Sequence, residues 1–319
     1  MTMRIFLSMV LLAAGTASAQ TWPTKPISVV VTFSPGGSSD IVARLIGGPL
    51  QARLGQPVIV DNRPGAGGTI GAAVVAKAAP DGYTLLLSNS APISISPFML
   101  TTPIYDPVKS FSHVSYIGSV ANVFVVHPSV TAKSLSELVT WIKAQPNPVH
   151  YGSGGIGSIG HIVGETFKND HGLKMEHVGY KGSSPMHNDL LGGTIKLAID
   201  TLPQNVPFMK DGKLRALAVT SPARAAMAAD VPSVLELGQK KLVAENFLGV
   251  SGPAGLPPAV VARLHAAMDE VLADPVVTKR LEDLGVAGRR MSPAEFSGFV
   301  QNQVNEWSGP VKASGAKLN

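Results

Sequence analysis

The sequence predicts an α/β protein of two domains, each a mainly parallel sheet covered by helices. Two observations predict it. A unit of strand, glycine loop and helix occurs three times, at 27–55, 57–79 and 148–170, and strands that alternate with helices build parallel sheets. The chain has 319 residues, and single hydrophobic cores stop growing beyond roughly 250–300 residues.

The elements follow in order. Residues 27–33 (ISVVVTF) are a β-branched run and read as a buried strand. The loop 34–39 leads to a helix at 40–54, with apolar residues at 41, 42, 45, 46, 50 and 54 and Gly55 as its stop. A strand at 57–61, a glycine loop at 63–68 and a helix at 69–79 repeat the plan. Pro80-Asp-Gly82 turns the chain into a strand at 83–88. The middle gives a strand at 116–126 and a helix at 134–145, which Ser134 and Glu137 open as a capping box. Next come a strand at 148–152, a glycine loop at 153–157, a helix at 158–169 and a strand at 175–180. A short helix at 183–191 and strands at 194–201 and 214–220 complete that half. The C-terminal part reads as helical, at 258–273, 275–284 and 292–307. Trp141 and Trp307 fall at apolar helical positions and are expected in the core.

The first twenty residues have the layout of a cleaved secretory signal: Arg4, an apolar core at 5–14, and Ala17-Ser18-Ala19 before Gln20. That core is too short to span a bilayer. The signal peptide is placed at 1–19, and the mature chain is expected in a bacterial periplasm. The chain has 0 cysteines, which leaves no disulfide framework and no thiolate chemistry. The net charge of +5 falls to +4 once Arg4 leaves with the signal. The basic residues are scattered, so a nucleic-acid footprint, which needs a dense basic stripe, is not expected.

The chemistry rests on the glycine loops. The first amides of a helix lack partners, and the helix dipole is positive there. Such a loop binds an anion through the main chain, without a lysine or arginine. Serines beside the glycines add directed hydrogen bonds, Ser38 or Ser39 in one loop and Ser153 or Ser158 in another. Two such loops across a cleft hold both ends of a dicarboxylate, or one carboxylate and a polar tail. Gly65–Gly68 reads equally as a tight turn. His161 lies in the first turn after 153–157 and either reaches a ligand or caps the loop. Asp40 sits in a helix first turn, where the dipole favours a carboxylate. Asp200, at a strand end, is placed to accept a hydrogen bond from a ligand hydroxyl or amine.

The stretch VHYGSGGIGSIGHI, at 149–162, matches the dinucleotide fingerprint twice in overlapping frames, with Glu176 as its acid. The signal peptide argues against that reading, because nicotinamide cofactors are not supplied to proteins that fold after export. The motif is also weak in a chain with 33 glycines. No zinc-type ligand set, P-loop or nucleophile elbow is present. No cofactor, no metal and no catalytic residue is therefore expected. An exported dehydrogenase-like enzyme using the Gly152–Gly160 loop, and a ligand-binding sensory protein, remain the alternatives.

Several stretches then carry a resemblance. They are Ser34-Pro-Gly-Gly-Ser-Ser-Asp40, Asn62-Arg-Pro-Gly-Ala-Gly-Gly68, Pro80-Asp-Gly-Tyr-Thr84, Tyr151-Gly-Ser-Gly-Gly-Ile-Gly157 with His161 and Glu165, and Tyr180-Lys-Gly182. Gly212-Lys-Leu-Arg-Ala216 and Gly252-Pro-Ala-Gly255 add to them. In that order, nearly end to end, the mature chain resembles the periplasmic substrate-binding proteins of the tripartite tricarboxylate transporter type, the Bordetella uptake gene family.

The resemblance implies a two-lobed periplasmic-binding-protein fold of the type II, Venus-flytrap kind. One lobe would hold 20–121 and 246–319, the other 122–245. It implies a monomer that captures a small organic acid and delivers it to membrane permease subunits. The ligand-binding residues carried over are Pro35, Gly36, Gly37, Ser38 and Ser39 from one loop. Ser153, Gly154, Gly155, Gly157 and Ser158, with His161, come from the other. Asn89, Ser90 and Asp200 match further pocket positions. Two departures from the family pattern are Gly179, where proline is common, and Ser34 in a proline-rich position; both bear on loop stiffness.

Overall fold

The computed structural model describes residues 22–318. The signal peptide expected at 1–19 lies outside the described residues. The first lobe opens with β1 (Ile27–Val31), α1 (Ser38–Leu54), β2 (Val58–Asn62), α2 (Thr69–Ala76) and β3 (Thr84–Asn89). A wide π-helical turn, Ala91–Ile95, and a tight 3-10 turn, Ser96–Met99, lead to β4 (Phe111–Val126). The second lobe holds α3 (Leu135–Lys143), β5 (Val149–Ser153), α4 (Ile159–His171), β6 (Met175–Gly179), α5 (Ser183–Leu191), β7 (Leu197–Thr201), α6 (Leu202–Lys210) and β8 (Arg215–Val219). The chain returns on β9 (Glu245–Pro253) and ends in α7 (Pro258–Ala273), α8 (Pro275–Asp283) and α9 (Pro293–Ser314).

The strands run in the order β2-β1-β3-β9-β4-β7-β5-β6, with β8 paired to β4. The long β4 is shared between two sheets. Its residues from Phe111 to Ala121 pair with β9, and those from Asn122 to Val126 pair with β7 and β8.

The pairings fix where the loops go. β9 is antiparallel to β4 and to β3, and β3 is parallel to β1. β1 therefore runs with β4, toward the second lobe. β7 is antiparallel to β4 and β5 is parallel to β7, so β5 runs back toward the first lobe. The carboxyl ends of the parallel strands in the two lobes thus point at each other, and ligands of open α/β sheets bind at such ends.

Each sheet is covered on both faces. In the first lobe Ile27, Val29 and Leu85 pack on α1 and α7, while Val30 and Leu86 face α2 and α9. In the second lobe Phe124, Tyr151 and Ile199 pack on α3 and α4, while Val123, Val125 and Ala198 face α5. Burying each such side chain contributes about 1.5–3 kcal/mol.

The predicted elements are all present, with ends that differ by a few residues. Besides short helical turns such as those at 91–99, α6 and β9 lie where the sequence predicts no element. Pro203 and Pro207 interrupt the helical reading of α6, although Pro203 sits in its first turn, where no amide partner is lost. β9 carries Gly249 and Gly252, which break the apolar run. The last helix also runs to Ser314 rather than 307. Its first half (Phe296, Val300, Val304) packs in the first lobe's core, and its end (Trp307, Val311) with Leu318 packs in the second lobe's. Trp307 is buried as expected, but Trp141 is only half-buried.

Candidate functional site

The first jaw lies at the end of β1. Helix α1 begins after Gly37 with no side-chain cap, and the amides of Ser38, Ser39 and Asp40 meet no acceptor among the described residues. That leaves the positive end of a long helix open to an anion. The preceding loop, with Pro35 and Gly36 exposed, is held from behind by Asp40. Its carboxylate accepts from Gly36 N at 3.0 Å, Arg44 Nε at 3.1 Å and Asn62 Nδ2 at 3.0 Å. Burial pushes this carboxyl up, but the bonds from Arg44, Gly36 and Asn62 outweigh it and hold Asp40 below the usual carboxylate value. Asn62 Nδ2 also donates to Phe33 O at 3.0 Å, which fixes the end of β1 to β2. Asp40 thus organises the jaw, a larger role than its dipole position alone implied.

The second jaw lies at the end of β5. Ser158 caps α4 by accepting from His161 N at 3.3 Å. Gly157 N donates to His161 Nδ1 at 3.2 Å, and Gly155 N to Ser153 Oγ at 3.2 Å. The Ile159 and Gly160 amides meet no acceptor among the described residues. His161 is thus a cap on the loop, one of the two roles its position allowed. It stacks on His177 with ring centroids 3.9 Å apart. Burial lowers His161 to about 4; burial and the neighbouring His161 lower His177 to about 3, so both are neutral at pH 7.

Gly160 has a packing reason. A Cβ there would stand 1.9 Å from Ile199 O, so only glycine lets α4 lie this close to β7. The third glycine of the dinucleotide fingerprint is needed for the same close packing. The first part of the loop is covered by its own chain. Gly182 N donates to Gly154 O at 3.1 Å, and a Cβ on Gly155 would lie 2.8 Å from Tyr180 O. Glu176, the acid of that fingerprint, is exposed and paired with His150 Nε2 at 3.3 Å.

Three other expected residues are committed inside the protein. Asp200 is buried; it accepts from Ser183 Oγ at 2.9 Å and Asn205 Nδ2 at 3.5 Å, with His187 Nε2 at 3.7 Å. Burial raises it despite these partners. Asn89 Oδ1 accepts from Ala91 N at 3.1 Å. Ser90 Oγ donates to Glu245 O at 3.3 Å and accepts from Phe247 N at 3.0 Å, so it ties the end of β3 to β9.

The jaws come together at Gly157. A Cβ on Gly157 would lie 2.6 Å from Ser96 Oγ and 3.6 Å from Gly67 Cα, both of the first lobe. Ser96 Oγ in turn donates to Gly67 O at 2.8 Å. Gly67 and Ser96 were not expected at the site. The glycine cluster at 65–68 was a usable signal for the first; nothing local marks the second.

The fold and site define a two-lobed binding protein whose lobes meet through glycine loops at opposed strand ends. The family model for the tripartite tricarboxylate transporter family receptor matches residues 42–315. The chain is similar to protein BugT of Bordetella pertussis, at 37% identity over 96% of this chain and 94% of that one. It is also similar to the solved structure of R. palustris Rpa4515 with adipate, at TM-score 0.86, 32% identity, and 93% and 99% of the two chains. MatC from Rhodopseudomonas palustris with bound malate gives TM-score 0.85, 29% identity, and 91% and 100% coverage. Periplasmic binding protein BugD gives TM-score 0.83, 31% identity, and 93% and 99% coverage. This chain belongs to the tripartite tricarboxylate transporter receptor family, a family of periplasmic binding proteins.

Proposed function

We propose that this protein captures a small organic carboxylate between its lobes and hands it to a membrane transporter, without making or breaking a bond. The observation that carries the reading is the pair of helix N-termini with free first-turn amides, α1 in one lobe and α4 in the other, on strand ends that point at each other. Main-chain amides recognise a carboxylate by charge and geometry, whatever chain it bears. Two jaws suit a molecule with polar groups at both ends, and the adipate held by Rpa4515 and the malate held by MatC are such molecules. Pro35–Ser39 and Ser153–Ser158 would form the ligand-binding loops, with Asn89, Ser90, His161 and Asp200 behind them as supports rather than ligand contacts. One lobe comprises 20–121 and 246–319, the other 122–245; the partition of β4 pairing at Ala121 and Asn122 supports this division. The leader at 1–19 would deliver the chain to the periplasm. The ligand stabilises the closed state by binding it more tightly than the open one.

Thermal unfolding with adipate and malate tests the reading. A ligand at one hundred times its Kd adds about 2.7 kcal/mol of stability. The expected outcome is a concentration-dependent rise in Tm with at least one dicarboxylate, and calorimetry giving one site per chain. If a broad panel of organic acids leaves Tm unchanged, the reading fails.

A further inference from the structure

The second jaw contains a hydrogen-bond chain with two complete arrangements. Ser153 is fully buried, and its Oγ has four polar neighbours. They are Ser158 Oγ at 3.0 Å, Gly155 N at 3.2 Å, Gly155 O at 3.1 Å and His177 Nε2 at 2.8 Å. A hydroxyl has one proton and two lone pairs. Gly155 N and Ser158 Oγ, both donating, fill the lone pairs. Gly155 O already accepts from Ser158 N at 3.1 Å. Gly155 O keeps a second lone pair 3.1 Å from Ser153 Oγ, but His177 Nε2 at 2.8 Å is the nearer acceptor, and we assign the Ser153 proton to it. In this arrangement Ser158 donates to Ser153, Ser153 donates to His177, and His177 carries its proton on Nδ1.

An anion seated at the second jaw needs donors, and Ser158 caps α4 beside the free amides of Ile159 and Gly160. When Ser158 donates to the anion, its oxygen is left to accept from Ser153. Ser153 then accepts from His177 Nε2. Every donor and acceptor is again satisfied, with each bond in the chain reversed.

We propose that His177 is a positioning residue of the anion clamp, and that seating an anion reverses the Ser158–Ser153–His177 chain and moves the imidazole proton from Nδ1 to Nε2. The proposal rests on the carboxylate reading of the site. The proton balance is simple. Ser153 passes its proton to Nε2 and takes the proton of Ser158, Ser158 takes one from water in the cleft, and Nδ1 releases one to water, so no proton is gained or lost. Nδ1 is not among the buried atoms without a partner, so water can reach it. The groups facing His177 leave it neutral in both arrangements. His161 stacks on it at 3.9 Å, and the Tyr151 ring lies 5.0 Å away. The Tyr151 hydroxyl donates to Glu165 Oε1 at 2.9 Å, and Lys168 Nζ pairs with Glu165 Oε2 at 3.0 Å.

Nitrogen-15 NMR of the histidine rings in the full mature chain tests this, with adipate and malate as probes. The free protein is expected to show His177 with a bare Nε2 and a protonated Nδ1. Saturation with a probe that binds is expected to exchange the two signals. A Ser153→Ala variant should still bind the probe, more weakly, while the His177 signals no longer respond to it. A purely structural His177 would show one tautomer throughout, and that result overturns the proposal while leaving the clamp intact. Failure of adipate, malate and a wider carboxylate panel to bind at all removes the carboxylate reading and the proposal together; calorimetry on the same sample separates the two failures.

Discussion

Gly157 of the second lobe and Ser96 of the first lie in direct contact, with no room for a Cβ on Gly157, which would stand 2.6 Å from Ser96 Oγ. On the capture-and-closure reading this contact belongs to the closed state, and Gly157 also has φ +79, where side chains are strained. Gly157→Ala is therefore expected to weaken ligand binding at least tenfold by obstructing closure, with a loss of only about 1 kcal/mol in ligand-free stability. Adding Ser96→Ala should restore part of the affinity. Calorimetry on the single and double variants checks this; independent, additive effects would count against the contact.

Asp40 should behave as the keystone of the first jaw. Asp40→Asn keeps the shape but loses the charge that holds Arg44, Gly36 and Asn62. The expected cost is about 1–3 kcal/mol of stability, together with weaker binding as the Gly36 loop loosens. Urea unfolding and calorimetry read the two effects. Binding as tight as in the parent would show that the loop does not need this carboxylate.

Gly160→Ala should damage the second lobe itself. Its Cβ would meet the Ile199 carbonyl at 1.9 Å, so α4 has to move off β7. Overpacking costs typically about 1–3 kcal/mol, and a clash with main chain falls at the upper end of that range. A fall in the urea midpoint with or without ligand is expected. A variant that unfolds like the parent would be incompatible with this packing.

Stability should fall as the solution is acidified below neutral. Burial lowers His113 and His161 to about 4; burial and the neighbouring His161 lower His177 to about 3. In the unfolded chain these rings protonate near 6.5. Between that value and the folded ones the unfolded state binds more protons, so the free energy of unfolding rises with pH across the window and is lost as pH falls. Between pH 6.5 and pH 5 such a shift is worth about 2 kcal/mol per group. Asp200 and Glu245, both raised by burial, act in the opposite sense over their own window, with two carboxyls against three imidazoles. Urea midpoints at pH 7.5 and pH 5 should differ clearly in favour of pH 7.5; equal midpoints would mean that the rings are not buried as described.

Local pattern alone determined much of this protein. The β-branched run of β1, the serine caps of α3, α4 and α9, and the glycines that stop α1 and α4 are set by neighbours within a turn or two. So is the anion-binding character proposed for the loops at 34–39 and 153–158, because free amides at a helix start are a property of any helix. Only the tertiary structure decided the rest. β9 is a strand because β3 and β4 supply partners on both sides, which outweighs its glycines. α9 runs past 307 because its end finds the second lobe's core. His161, Ser90 and Asp200 turned inward because their partners, Gly157, Phe247 and Ser183, stand in places that only the assembled chain provides. His177 reaches Ser153 only because β6 lies beside β5, across 24 residues of sequence. Periodicity and capping are read over a few residues. Which strand lies beside which, and so which side chains meet, is settled by burying all the apolar faces at once.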